Sequence, residues 1–254
     1  MSFTGGEPTL HPRFPDILKA AKMIGYRTSV TTAGSMLARH AYAAKVLPFL
    51  DSVAISTHGD TAELHDSLVG SPGSFDLIVR AFKNVAAMRP TPYLMTITVL
   101  MRANIDRILS IVKFLANVEG VRQCAINNVG PEGDASWNYG QLACRLTDIS
   151  AAIKPLVEMS RRTGILLQFS NIPLCILRDD LGQPDNFQWV PRVTVERGVV
   201  DARMGLHETP KALTPTGRAR FYAPKCSSVS CVVTPAAASI RNITIASVMK
   251  NCGL

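Results

Sequence analysis

The sequence lacks any window of roughly 18 or more uninterrupted apolar residues, the length a membrane-spanning helix needs. It also lacks the basic-then-apolar opening of a secretion signal. Those two absences set a soluble, cytoplasmic protein without a membrane partner as the expectation. Charged residues are scarce, at 18%, which excludes a solvated or disordered tail protein. Aromatics are scarcer still, at 6%, and nowhere interleave with basic residues as the stacking platforms of nucleic-acid binders do. No basic run exists either: the formal charge of +8 is spread along the chain, a pointer to anionic ligands that argues against nucleic acid as the main partner. The six cysteines are unevenly spaced, so a disulfide framework is not expected.

What is present is apolar material, 47% of 254 residues, enough to bury a sizeable core. Phe14, Ile17, Leu18, Ala21 and Ile24 recur at helical spacing, and Gly25 stops that helix. Residues 26–31 read as a short strand, 36–46 as a helix ended by Pro48, and 52–56 as a buried strand. Asp60 with Glu63 forms a capping pair for a short helix through Leu68, and Ser74 is placed to cap a longer one carrying Phe75, Ile78, Val79, Phe82 and Val85. His65 and Asp66 are assigned to the exposed face of the short helix. Strands at 93–100, 121–127 and 165–169 alternate with helices over 105–115 and 147–162, with Cys124 in a strand and Cys144 in a loop. Strands separated by helices of ten or more residues pair in parallel through right-handed crossovers. The fold class expected is therefore α/β: a partial parallel (β/α) barrel of about six strands over residues 1–170, with a small irregular C-terminal segment over 171–254.

Ligands of such folds gather at the carboxyl ends of the strands. There the sequence sets a series of polar turns. In Gly5-Gly6-Glu7-Pro8 two residues without Cβ atoms let the backbone approach a ligand, Glu7 adds an acceptor-only carboxylate suited to an ammonium group, and Pro8 fixes the exit direction. The bland alternative is a first-turn residue favoured by a helix dipole. Thr31-Thr32-Ala33-Gly34 and Ser56-Thr57-His58-Gly59 follow at later strand ends, where the threonines can cap a turn and His58 can be either a satisfied strand-end histidine or a group that supports the ligand contacts from behind.

The stretch Phe3 to Leu10, those two later turns and Asn104 after a strand make the chain resemble the radical S-adenosylmethionine (radical SAM) enzymes over roughly residues 1–170. The resemblance implies that Gly5, Gly6, Glu7 and Pro8 hold the methionine ammonium of S-adenosylmethionine, with Thr32, Ser56, His58 and Asn104 as further contacts. It implies a [4Fe-4S] cluster, an electron donor such as a flavodoxin or ferredoxin, and hydrogen abstraction from a peptide or small-molecule substrate. The family's Cys-x3-Cys-x2-Cys loop is absent from these residues, so the chain reads as truncated before its first β/α unit, with a degenerate relative as the alternative, and as inactive in cleavage by itself. Cys175, Cys226, Cys231 and Cys252 are candidate ligands of an auxiliary cluster, against a bland reading as unpaired thiols. Two other classes stand beside this one. A non-redox barrel enzyme would use Gly130-Pro131-Glu132-Gly133 to cradle a phosphate, which Glu132 and Asp134 oppose. A nucleic-acid binder would use Lys154, Arg161 and Arg162.

Overall fold

The structure is a computed structural model and describes residues 1–131, 133–172 and 176. Six strands form one sheet in chain order: β1 (Ser2–Phe3), β2 (Ser29–Thr32), β3 (Ser52–Ser56), β4 (Tyr93–Leu100), β5 (Val121–Asn128) and β6 (Leu166–Ser170). Every neighbouring pair is parallel. Helices α1 (Phe14–Met23), α2 (His40–Val46), α3 (Ala62–Val69), α4 (Ser74–Ala86), α5 (Ile108–Ala116), α6 (Ala135–Leu142) and α7 (Leu146–Thr163) fill the crossovers. This is the expected partial barrel, with β1 and β6 left as its two edges among the described residues. No described helix is long and apolar enough to cross a membrane.

One face of the sheet is dry. Val30, Val53, Ile55, Leu94, Cys124, Ile126 and Leu167 alternate onto it and meet the apolar stripes of the helices. Helix α4 contributes Ile78, Phe82 and Val85, and α5 contributes Ile108, Ile111, Val112 and Leu115. Each fully buried side chain of that size stabilises the fold by about 1.5–3 kcal/mol. The other face carries the residues between these, and β4 shows the alternation cleanly: Leu94, Thr96, Thr98 and Leu100 are buried, while Tyr93, Met95, Ile97 and Val99 are half-buried.

Local chemistry corrects several expectations. Helix α2 ends at Val46, just before Pro48, as expected, but it begins at His40 rather than at 36, and Pro48 sits in a 3-10 turn at Leu47–Phe49. Asp60 does not cap α3: Thr61 does, its side chain accepting from Leu64 N, and Asp60 pairs with Arg107 instead. Gly73, in a left-handed conformation, is the N-cap of α4, and Ser74 donates its hydroxyl to Asp66 at 2.8 Å. His65 is buried, at 2% exposure, where the sequence placed it on an open helix face. Helix α6 had no counterpart in the sequence pattern, since none of its residues is buried and no apolar stripe marks it.

Candidate functional site

Parallel pairing puts the ends of all six strands, and so the polar turns, on one edge of the sheet. After β1 the chain bends through Gly5, whose φ of 113° lies where side-chain-bearing residues rarely go. Gly5 and Gly6 are exposed, and a Cβ added at either would meet nothing within 4 Å. Open space therefore lies beside the diglycine backbone.

Glu7 is the hub of this edge. Its Oε1 accepts from Thr9 N at 3.1 Å, Thr9 Oγ1 at 2.5 Å and Thr32 Oγ1 at 2.8 Å. Its Oε2 accepts from Ala33 N at 2.6 Å. Glu7 thus caps the 3-10 turn Pro8–Leu10 and at the same time ties that turn to the end of β2. Thr32 is buried and also accepts from Gly34 N at 3.0 Å, so it braces its own turn as well. All four donors to Glu7 are uncharged, and no Lys or Arg pairs with it among the described residues. One acceptor position on Oε2 remains beyond the Ala33 bond. The Tyr42 hydroxyl, which donates to Thr9 O at 2.7 Å, is pushed up to about 12 by burial and then by the Glu7 charge, so it stays a neutral donor.

The third turn is held from both sides. Where the ladder between β3 and β4 would continue, the His58 imidazole takes over, Nδ1 accepting from Val99 N at 3.2 Å. His58 N in turn donates to His65 Nδ1 at 3.1 Å, and the two rings stack at 6.0 Å. Burial, and then the neighbouring His65, holds His58 down at about 4, so the ring is neutral near pH 7 and its proton sits on Nε2. Gly59 is required by space: a Cβ there would stand 2.5 Å from His65 N. Asn104, fully buried, donates to His58 O at 3.1 Å and Val99 O at 2.9 Å and accepts from Met101 N at 2.8 Å. Both its amide hydrogens are committed to backbone, which makes Asn104 a brace between two strand ends. Ser56 lies half-buried on the open face, in register with Ile97.

The sequence profile of the radical SAM superfamily matches residues 1–115, the part that holds these turns. That segment is therefore similar to the radical SAM superfamily. Two relatives are named probable GTP 3',8-cyclases. That of Saccharolobus islandicus (strain L.S.2.15 / Lassen #1) is 28% identical over 159 residues, 62% of this chain and 49% of the relative. That of Thermoplasma volcanium is 29% identical over 184 residues, 72% of this chain and 55% of the relative. The chain therefore spans about half the length of the relatives it matches. Streptococcus suis SuiB, solved bound to S-adenosylmethionine, shares the fold at a TM-score of 0.53 and 16% identity, over 66% of this chain and 38% of that one.

The expected ligands of an auxiliary cluster fall outside the described residues. Among the described residues Cys124 and Cys144 are free and buried, and no three His, Cys, Asp or Glu side chains gather as a metal site. Burial pushes both thiols up, Cys144 to about 11, so neither offers a thiolate near pH 7. Cys175, Cys226, Cys231, Cys252 and Glu132 lie outside the described residues. Two clefts do sit in the molecule, but at the opposite, amino-terminal edge, one lined by Tyr93, Arg122 and Ile165 and the other by Ser29, Asp51 and Tyr93. Sequence reasoning missed three participants: Thr9, Ala33 and Tyr42. Thr9 had a local signal, a hydroxyl two residues after an acceptor. Tyr42, 33 residues from its partner, had none.

Proposed function

We propose that this domain binds S-adenosylmethionine at the carboxyl edge and presents it to a peptide or small-molecule substrate, as part of a radical SAM enzyme. The observation that carries this reading is a carboxylate, Glu7, held by four neutral donors without a cation, next to an exposed diglycine backbone with open space beside it. A partly buried carboxylate without a counter-charge favours a cationic ligand. The free acceptor position on Oε2 and the backbone carbonyls of Gly5 and Gly6 suit the three donors of an ammonium group. Thr9, Thr32 and Ala33 fix where that carboxylate stands, so the ligand meets a seat already formed. His58 and Asn104 hold the β3 and β4 ends in place from behind and contribute position rather than contact.

In radical SAM chemistry a reduced [4Fe-4S] cluster, fed by a donor such as a flavodoxin or ferredoxin, supplies the electron that cleaves the sulfonium carbon–sulfur bond. No set of described residues holds such a cluster, and the reductive step is assigned to none of them. The names of the two relatives assign them GTP; here the strand rows of the open face nearest the carboxyl edge hold no cationic residue, which favours an uncharged substrate portion. Calorimetric titration of the purified chain with S-adenosylmethionine tests the reading. Saturable binding that is insensitive to salt and lost in Glu7→Gln is expected, and the absence of binding by the parent chain would end it.

A further inference from the structure

Partners in a parallel register lie on the same face, so the open face can be followed row by row towards the carboxyl edge. One row runs Ser56, Ile97, Ala125, Gln168, and the next holds Val99, Asn127 and Ser170. The strand residues in these rows are all uncharged. Arg122, at the bulge near the amino end of β5, stacks on the Tyr93 ring at 5.8 Å.

Two amide side chains on this face stand out. A hydrogen-bonded chain crosses it from the Tyr93 hydroxyl to Gln123 Oε1 at 2.9 Å, and from Gln123 Nε2 to Gln168 Oε1 at 2.7 Å. It ends at Gln168, whose amide nitrogen donates to no other described residue. One row nearer the carboxyl edge, on the neighbouring strand, Asn127 Oδ1 is buried without a hydrogen-bond partner. Asn128 also has an unpartnered amide oxygen, but its nitrogen donates to Asn171 O at 3.3 Å and serves the turn after β6. Asn127 has no such local task. A buried acceptor left unmatched costs about 1–3 kcal/mol, a cost that a ligand donor would remove.

We propose that Asn127 and Gln168 together form the substrate-reading station of the domain and take an uncharged amide-type group, its N–H bonding to the Asn127 carbonyl oxygen and its C=O accepting from the Gln168 amide nitrogen. A peptide unit and the lactam edge of a purine both present that pair. An anion does not fit, because it would face a carbonyl oxygen with no cation on these rows. The station rests on the reading of the neighbouring edge as the S-adenosylmethionine seat, and it adds the chemical class of the second ligand.

The test uses the purified 254-residue chain with S-adenosylmethionine present. Binding of three probes is followed by ligand-observed NMR: N-acetylalanine methylamide, inosine and tripolyphosphate. One neutral probe is expected to bind, with about a tenfold loss in Asn127→Ala and a comparable loss in Gln168→Glu, which keeps the shape and removes the donor. Tripolyphosphate is expected not to displace it. The neutral probe that binds identifies the source of the amide group, peptide or ring. Failure of both neutral probes, unchanged binding in both variants, or displacement by tripolyphosphate would overturn the proposal. S-adenosylmethionine affinity is measured on the same samples: affinity retained with no station effect sinks the station alone, while affinity absent from the parent chain sinks the edge assignment itself.

Discussion

Two carboxylates tie loops to strands at opposite edges of the sheet, and they do so differently. Asp51, at the amino edge, receives Lys22 Nζ on both oxygens at 2.6 Å, with Thr28 N at 2.6 Å as well. That Lys22 hydrogen bond, with the Thr28 backbone bond next, holds its carboxyl below the usual carboxylate range. Glu7, at the carboxyl edge, accepts four hydrogen bonds and, among the described residues, has no cation. The Asp51 tie carries its counter-charge within the chain, while Asp66, at the α3–α4 turn, is held by Gly73 N, Ser74 Oγ and Phe75 N alone, so it is the position of Glu7 at the carboxyl edge that sets it apart. A carboxylate without a counter-charge among the described residues, at the edge where parallel α/β folds take ligands, is what we propose as the seat for a cation from outside.

The sharpest way to break this contrast is to neutralise each carboxylate and read binding and stability separately. Glu7→Gln keeps the shape and should weaken S-adenosylmethionine by about a hundredfold or more, since a charge-assisted bond to an ammonium is lost, as calorimetry would show. Asp51→Ala should leave that affinity alone and cost about 1–2 kcal/mol of stability in a urea melt, because Lys22 and the Thr28 N–H both lose their acceptor. Comparable effects of the two variants on ligand affinity would erase the distinction.

Acid titration sharpens the contrast further. Asp51 is more acidic in the fold than in the unfolded chain, so its contribution is present above the ordinary carboxylate range and fades only below it. His58 behaves otherwise: folded at about 4 against an ordinary 6.5, it resists protonation, so the fold is favoured above pH 6.5 and loses stability as pH falls towards 4. Protonation would take from Val99 N–H its acceptor. Thermal melts from pH 7 to 4.5 should show the midpoint falling, with a shallower fall in His58→Gln. The smallest effect belongs to Asp60, whose partner Arg107 is 50% exposed: Asp60→Asn should cost at most about 1 kcal/mol and leave binding unchanged.

Much of the scaffold was legible in the sequence. The limits of β3 and β4 and the order of strands and helices follow from short β-rich runs separated by amphipathic stretches, a periodicity that depends on neighbours along the chain. Helix α6 escaped because a helix with no buried residue leaves no stripe to detect. The burial of His65 escaped because it depends on Gly59 admitting α3 within 2.5 Å of where a Cβ would be. Caps were misplaced for a related reason: Asp60 and Ser74 had distant partners, Arg107 and Asp66, that local spacing does not reveal.

By itself the sequence determined the alternation of elements, hence parallel pairing, hence a shared edge for Gly5-Gly6-Glu7, Thr32, Ser56 and His58. Only the tertiary structure decided what each of those groups does at that edge, because the partners of Glu7 lie as many as 26 residues away and those of Asn104 as many as 46. Hydrogen bonds act over about 3 Å whatever the separation along the chain. That is why Asn104 became a brace, His58 a rung of the sheet, and Glu7 a carboxylate without a counter-charge among the described residues.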